Sequence, residues 1–451
     1  MDEILALLQP ITPLISKTTL RQLSRVVFGM LAMTGRVTML GISRWAGKGG
    51  SYRTIQRLYS TTLPWLEIFC NLFRMLLFQP GDEYILAGDE VVVSKAGDET
   101  YGKDCIFSSL AQRPIPGLAF FAFSLINVRL RRSSPIEMEQ MVRSAAEKAA
   151  CKAKAQVRKT KKKPSEKRKP GRPKGSKNKD KQQVELNPEL KRIQTMLQAL
   201  LKLLLTFLSL KYLVLDGHFG NWPSAWMVMQ NNLHLVSKLR HDAGLYLSYA
   251  GPKPKRGPTP RFGEQIDYDH LPNEYLVQSS LEDGIRTDVY QAKLWNKEFP
   301  IPLNVVILHK TILKTQAVAH VVLFSTDLAL SFDKLIEYYK LRFQIEFNFR
   351  DAKQYWGLED FMNVERTPVT NAAYLSMLMV NLSHLLLDRY RSDDPAFSVL
   401  DLKAHYRGYR YVMETIKILP QKPEGNLLSA IFLQVACLGR IHAAQPTVST
   451  A

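Results

Sequence analysis

SFDKLIEYYKLRFQIEFNFRDAKQYWGLED, residues 331–360, is the stretch from which the rest of the chain can be placed. Neither Pro nor Gly interrupts it before Gly357. Ser331 suits an N-cap, and Asp333 falls in the first turn, where the positive end of a helix favours an anion. The run is therefore expected to form one helix reaching about Tyr355. At 100° per residue, Tyr339, Arg342, Glu346, Arg350 and Lys353 share one stripe about 80° wide and about 21 Å long. A solvated helix face usually mixes charge signs at i,i+4. Here a single carboxylate stands among three cations and a phenol. Such a line suits a phosphodiester backbone lying along the helix, with the acid holding a metal at the reacting phosphate. An ion-paired helix face is the alternative, and geometry alone leaves the two balanced.

Tyr339-x2-Arg342-x3-Glu346-x6-Lys353 resembles in full the Y-R-E-K signature of the DDE transposases of bacterial insertion sequences. That resemblance implies an α/β fold: an RNase H-like catalytic core of mixed strands and flanking helices. A β-rich insertion would interrupt the core, with helical regions at both ends. The resemblance also implies that Tyr339, Arg342 and Lys353 contact phosphates near the scissile bond, with Arg350 on the same stripe. Some members carry Trp after the Arg; Phe343 stands here and keeps an aromatic ring. Two more aspartates are then required upstream, each at a strand end.

The first is expected at Asp89, in EYILAGDEVVVSK (83–95). Adjacent strand residues point to opposite faces, so Asp89 and Glu90 should not serve one site, and Glu90 is the reserve. Asp98 and Asp104 lie in turn-like sequence and read as turn formers. The second is Asp216, because Asp216-Gly217-His218-Phe219 resembles the family's D-G/A-x-Y/F motif. A carboxylate at the end of a buried strand, followed by Gly, sits at a crevice mouth. Capping of the next helix is the alternative role. Two-metal phosphoryl transfer needs carboxylates from separate elements converging on cations about 4 Å apart. Mg²⁺ fits, with Mn²⁺ as a substitute, because such a hard ion keeps waters and takes few protein carboxylates. Arg240, beside His241 and Asp242 at a strand end, is a weaker DNA-contact candidate.

Bulk properties agree with a nucleic-acid enzyme. The chain has 451 residues, 46% of them hydrophobic, enough for a sizeable core and two to four domains. A net charge of +20 favours a polyanionic partner. Residues 152–181 supply +13 of that total. This basic loop, about 152–185, has almost no apolar side chains and is expected to be disordered when free. Around Arg172, KPGRPKG (169–175) resembles an AT-hook that enters an A·T minor groove. A non-specific phosphate-binding loop and a solubilising linker are the alternatives.

Residues 1–78 are expected to be a helical DNA-binding domain. In SYRTIQRLYS (51–60), Ser51 is an N-cap and Arg53, Gln56 and Arg57 share one face. With the preceding TMLGISRWA they could form a helix-turn-helix pair that presents those side chains to base edges. An ordinary amphipathic helix is the alternative. The core is expected over 79–239, with strands around 82–128 and a helix over about 135–150. The β-rich insertion spans 240–315, the rest of the core 316–362, and a helical region 363–451.

Four separated cysteines, with no C-x-x-C, argue against zinc and against a disulfide framework. The start lacks the basic region of a signal peptide, and the longest apolar run, 203–210, is too short to span a bilayer. A soluble, cytoplasmic, nucleoid-associated bacterial protein is expected. The resemblance implies double-stranded DNA partners, element ends and target, and a homodimer in the synaptic complex. It implies hydrolytic cutting at the ends and joining of the freed 3′-OH to target. A transposase-derived DNA-binding protein without chemistry and an RNase H-fold nuclease are the alternatives.

Overall fold

The run Tyr84–Ser94 (β1) is apolar on both faces up to Gly88, as befits a central strand covered on either side. The computed structural model, which describes residues 2–108, 111–160, 183–253 and 257–442, places it in a twelve-stranded mixed sheet. The sheet's other strands begin with β2 (Asp104–Ser108), β3 (Arg113–Asn127), β4 (Arg132–Gln140), β5 (Tyr212–Leu215) and β6 (His234–Lys238). Then come β7 (Leu245–Ser248), β8 (Phe262–Gln265), β9 (Leu276–Glu282), β10 (Ile285–Asn296), β11 (Leu303–Ile312) and β12 (Ala317–Ser325). β4, β3 and β1 run antiparallel, and β5 and β6 then join β1 in parallel. β12 pairs antiparallel with both β6 and β11, so the strands from 245 onward extend the same sheet.

Thirteen helices are described. The N-terminal group is α1 (Asp2–Leu7), α2 (Lys17–Ala32), α3 (Met39–Trp45), α4 (Tyr52–Ser60) and α5 (Trp65–Leu72). Ser16, Thr38 and Ser51 cap α2, α3 and α4 through their hydroxyls. The remainder are α6 (Ala145–Thr160), α7 (Pro188–Leu204), α8 (Trp222–Met229), α9 (Phe332–Leu341), α10 (Gln344–Gln354), α11 (Arg366–Arg391), α12 (Val399–Ile418) and α13 (Gly425–Cys437). α11 is apolar nearly all round and is buried along most of its length, packing on α4, α10, α12 and β4. One face of the sheet, with Ile85, Ala87, Val214 and Val236, lies under Leu335, Tyr338 and Leu341 of α9. The opposite face carries Phe121 and Phe123 into the larger core, where Phe219 of the turn after β5 packs on Phe121.

Three expectations are corrected. Residues 135–140 are strand, not helix. Arg131, with φ +51, closes the β3–β4 hairpin, and the side chains from Ser133 to Met138 are buried. Pro135 has no N–H to give, and it sits at a bulge on this outer strand, where that loss is tolerated. Second, residues 152–160 of the basic run continue α6 rather than being disordered. Ser144 and Glu147 form reciprocal side-chain-to-backbone bonds at its start, and the following Ala, Glu and Lys residues are good helix formers. Residues 161–182, and Arg172 with them, lie outside the described residues.

The third correction concerns the opening stretch. It is two helices, not one. Phe343, Ile345 and Glu346 donate their backbone N–H groups to Lys340, Arg342 and Phe343, three residues back. The chain tightens there into a 3₁₀ turn. α9 packs on β5, β6, β11 and β12, whereas α10 packs on β1, β4 and α11. Each helix follows its own part of the sheet, and the break at Arg342–Phe343 absorbs the change of direction.

Gly220 shows how tightly the turn after β5 is pressed on β6. A Cβ there would fall 2.2 Å from the Lys238 carbonyl oxygen, which is backbone and cannot yield. Gly220→Ala is expected to destabilise the fold by about 1–3 kcal/mol, read from urea unfolding, with the slope unchanged. A variant as stable as the parent would show that this turn is loose.

Candidate active site

β5 ends at Leu215, opposite Gly88 of β1. β1 itself continues to Ser94 because β3 pairs with it along its whole length. Asp89 is therefore mid-strand rather than at a strand end. It is nevertheless the first β1 residue beyond its parallel neighbour. Asp216 directly follows Leu215, so each aspartate is the residue just beyond the last paired position of neighbouring strands. The crevice exists because one strand stops and the other does not. Asp216 also caps the short 3₁₀ turn Gly217–Phe219, accepting from His218 N at 3.1 Å. Of the two roles considered for it from sequence, capping is the one this bond shows.

Arg342 stands in the α9–α10 break and reaches both sides of this crevice. Its Nη1 donates to Asp89 Oδ2 at 2.5 Å, and its Nη2 to Glu346 Oε1 at 3.1 Å. The Tyr339 ring centroid lies 5.9 Å from the guanidinium carbon. The Arg342 and Asp89 side chains are only 12% and 17% exposed, so their charges interact with little solvent screening. Burial pushes the Asp89 carboxyl up to about 6. Arg342 opposes that rise, while Asp216 and Glu346 add to it. Burial likewise raises the Tyr339 phenol, so it stays protonated at neutral pH.

Three carboxylates from three elements thus face one guanidinium and leave negative charge uncompensated. Their oxygen-only donor set suits a hard divalent cation. Among the described residues, no three His, Cys, Asp or Glu side chains already converge as a metal-binding group. The guanidinium bridges Asp89 and Glu346 and occupies the electrostatic position that a cation would take.

The other candidates are dispersed. Arg240 lines the same open cleft as Asp216, Tyr339 and Arg342, about 510 Å³ in volume, and pairs with Asp242. Arg350 pairs with its neighbour Asp351. Lys353 donates to Val92 O at 2.8 Å and pairs with Glu359 at 3.0 Å. Neither Arg350 nor Lys353 joins the carboxylates. Glu90 lines a different cleft with Glu189 and His218, and Asp104 pairs there with Arg143 and Lys148. Asp98 sits in the turn before β2. On α4, Arg53, Gln56 and Arg57 are exposed while Ile55, Leu58 and Tyr59 are buried. Phe343 is exposed beside Arg342. Two cleft residues escape the sequence patterns, Lys238 and His320. Lys238 ends β6 two residues before Arg240, so a strand-end cation was its only signal. His320, on β12, is held there by a 2.8 Å hydrogen bond to His241 O and by stacking on Tyr268.

Residues 10–299 match the family model of the DDE superfamily endonucleases, and the chain belongs to that superfamily. The matched span contains Asp89 and Asp216 and ends before Glu346. No curated protein matches the chain. The mixed sheet with helices at both ends is an RNase H-like DDE core, and the superfamily's chemistry is metal-dependent cleavage of DNA. No helix among the described residues is long and apolar enough to cross a membrane.

Proposed function

We infer that this chain is a cut-and-paste transposase of the Y-R-E-K branch, encoded by a bacterial insertion sequence. The observation that supports the reading is that Arg342 bridges Asp89 and Glu346 in the cleft that Asp216 also lines. Asp89, Asp216 and Glu346 would hold Mg²⁺, or Mn²⁺ in its place. The metal supplies activation of the attacking oxygen and stabilisation of the leaving one. Arg342 exchanges its carboxylate partners for a non-bridging phosphate oxygen, which frees the acids as the DNA arrives. Tyr339, protonated, donates to the same phosphate. In the cutting step a water oxygen bonds to phosphorus, the P–O3′ bond breaks, and the strand leaves with a free 3′-OH. In the joining step that 3′-OH attacks a target phosphodiester and displaces the target's own 3′ oxygen. Two copies would hold two element ends in one synaptic complex.

DNA recognition is assigned to the exposed face of α4. Replacing both Arg53 and Arg57 by Ala is expected to weaken binding of end DNA about 10-fold or more. The salt slope of log Kd should fall by about 2. An unchanged slope in a salt titration would move the contact surface elsewhere.

One observation favours a second reading. The Arg342 bridge already balances part of the acidic site, as it would in a DNA-binding protein that no longer performs chemistry. Linear DNA carrying the element's own ends, incubated with the protein and Mg²⁺, separates the two. End-specific cutting and joined products support the transposase. Binding without cutting under any divalent ion leaves the DNA-binding protein. Cutting without joined products leaves an endonuclease alone.

A further inference from the structure

The segment that follows α10 is held from three directions, and the holding groups connect parts of the chain far apart in sequence. Just past α10, Gly357 turns the chain at φ +79, and Leu358 N bonds back to Ala352 O at 2.9 Å. A Cβ on Gly357 would lie 2.4 Å from Val37 Cβ, so the segment touches the α2–α3 connection directly. Next to it, Asp360 accepts from Val37 N at 2.9 Å and from Arg36 Nε at 3.4 Å. Lys403 of α12 is 8% exposed, and its Nζ donates to Met30 O in α2 at 2.8 Å and to Tyr355 O at 3.3 Å. Its ammonium lies 4.7 Å from the centroid of the fully buried Trp356 ring. From the sheet, Lys95 donates to Glu359 O at 2.9 Å and to Phe361 O at 2.8 Å.

Burying two ammonium groups costs free energy that apolar side chains would not. Lys95 gives both of these bonds to carbonyls of one short segment, and Lys403 ties that segment to α2. That segment begins nine residues after Glu346, about 14 Å along the same helix. Its other contacts include Arg36 and Val37 in the α2–α3 connection and Ser376 of α11, whose hydroxyl donates to Trp356 O.

We propose that Asp360 and Lys403 are positioning residues that couple the seating of the N-terminal helices to the placement of Glu346 on α10. This rests on the functional reading above, in which α3–α4 meet DNA and Glu346 serves the reaction. Neither residue touches substrate. A well-placed acid needs its supporting contacts fixed to within about 0.5 Å, and these contacts link the placement to the domain that meets the DNA. Asp360 is the more informative of the two, because its hydrogen bonds among the described residues go to Arg36 and Val37 of the N-terminal region.

The test is amide hydrogen exchange on the full chain, beside cleavage kinetics on end-bearing DNA with Mg²⁺. Asp360→Ala is expected to speed exchange in α10 at least 10-fold while α9 and β1 keep their parent rates. The kcat for cutting should fall at least 10-fold, with KM for DNA within 2-fold. Asp360→Asn keeps an oxygen for Val37 N and should restore most of both. Lys403→Met, which cuts the other link, should reproduce the α10 loosening. If exchange rises only at residues 30–37 and 355–361 while α10 stays at parent rates, the contacts are merely structural and the proposal falls. A parent protein that binds but never cuts DNA would refute the functional reading instead. The exchange pattern would then still decide whether these residues hold α10.

Discussion

Glu346→Gln is expected to lower DNA cleavage by at least about 10³-fold, more than about 4 kcal/mol of transition-state stabilisation, while binding of end DNA stays within about 3-fold. Gln keeps the length and one carbonyl oxygen but loses the charge. The acidic set then offers a cation two carboxylates instead of three. Stability should barely move. Glu346 is 40% exposed, and its partner Arg342 retains Asp89. The measurement is a pair of assays on one preparation: gel-resolved cutting with Mg²⁺, and binding without it. Cutting at the parent rate would remove Glu346 from the reaction. Lost binding together with lost cutting would mean that the residue holds the DNA or the fold rather than the metal. The parent and variant therefore also separate the enzyme from a catalytically silent relative, since in the latter neither would cut.

Much of this site was legible in the sequence, and the reasons it was legible are local. Asp216 follows a four-residue apolar strand and precedes Gly217, a pattern that needs nothing distant to be read. Asp89 was found by its apolar, β-branched surroundings, yet its position relative to a strand end was not. Where β1 ceases to have a parallel neighbour is decided by the length of β5, more than a hundred residues later. The spacing of Tyr339, Arg342 and Glu346 gave one helical stripe, and a straight helix would have carried Arg350 and Lys353 along it. The twist of the sheet under α9 and α10 breaks that helix. Arg342 is left inside the crevice, and Lys353 is handed to Val92 and Glu359. Strand β4 was misread because Pro135 and the Glu-rich run after it look helical in isolation. Only the β3 edge makes them a strand. Periodicity carries the identity of elements well, but bends, stops and bulges are settled by the partner, and here those features form the site.

Asp89→Asn should abolish cutting and at the same time make the metal-free protein more stable near neutral pH. The Asp89 carboxyl titrates near 6 in the fold, above its ordinary 3.8, mainly because it is buried. Between those values the folded chain binds more protons than the unfolded one. Stability must therefore fall as pH rises through that window, by up to about 3 kcal/mol, and level off above about pH 6. The cost is fully present at pH 7, where the carboxylate is ionised, buried and close to Asp216 and Glu346. Arg342 offsets it only in part. Asn at this position carries no charge at any pH, and Arg342 keeps Glu346 as a partner, so the variant's stability should lack this descending step. Comparing variant with parent isolates Asp89 from other raised acids such as Glu137, which titrates near 8. A divalent cation should relieve the same cost. Mg²⁺ is expected to raise the melting temperature of the parent at pH 7.5, do little at pH 5 where Asp89 is protonated, and do little to the variant at either pH. Parallel pH curves for parent and variant would show that Asp89 is not strained by its neighbours. Equal Mg²⁺ shifts in both would place the cation elsewhere. On the proposed reading the arrangement would gain its chemistry from a set of charges the fold tolerates poorly when no cation is bound, which is why one substitution is expected to abolish the reaction and improve the fold.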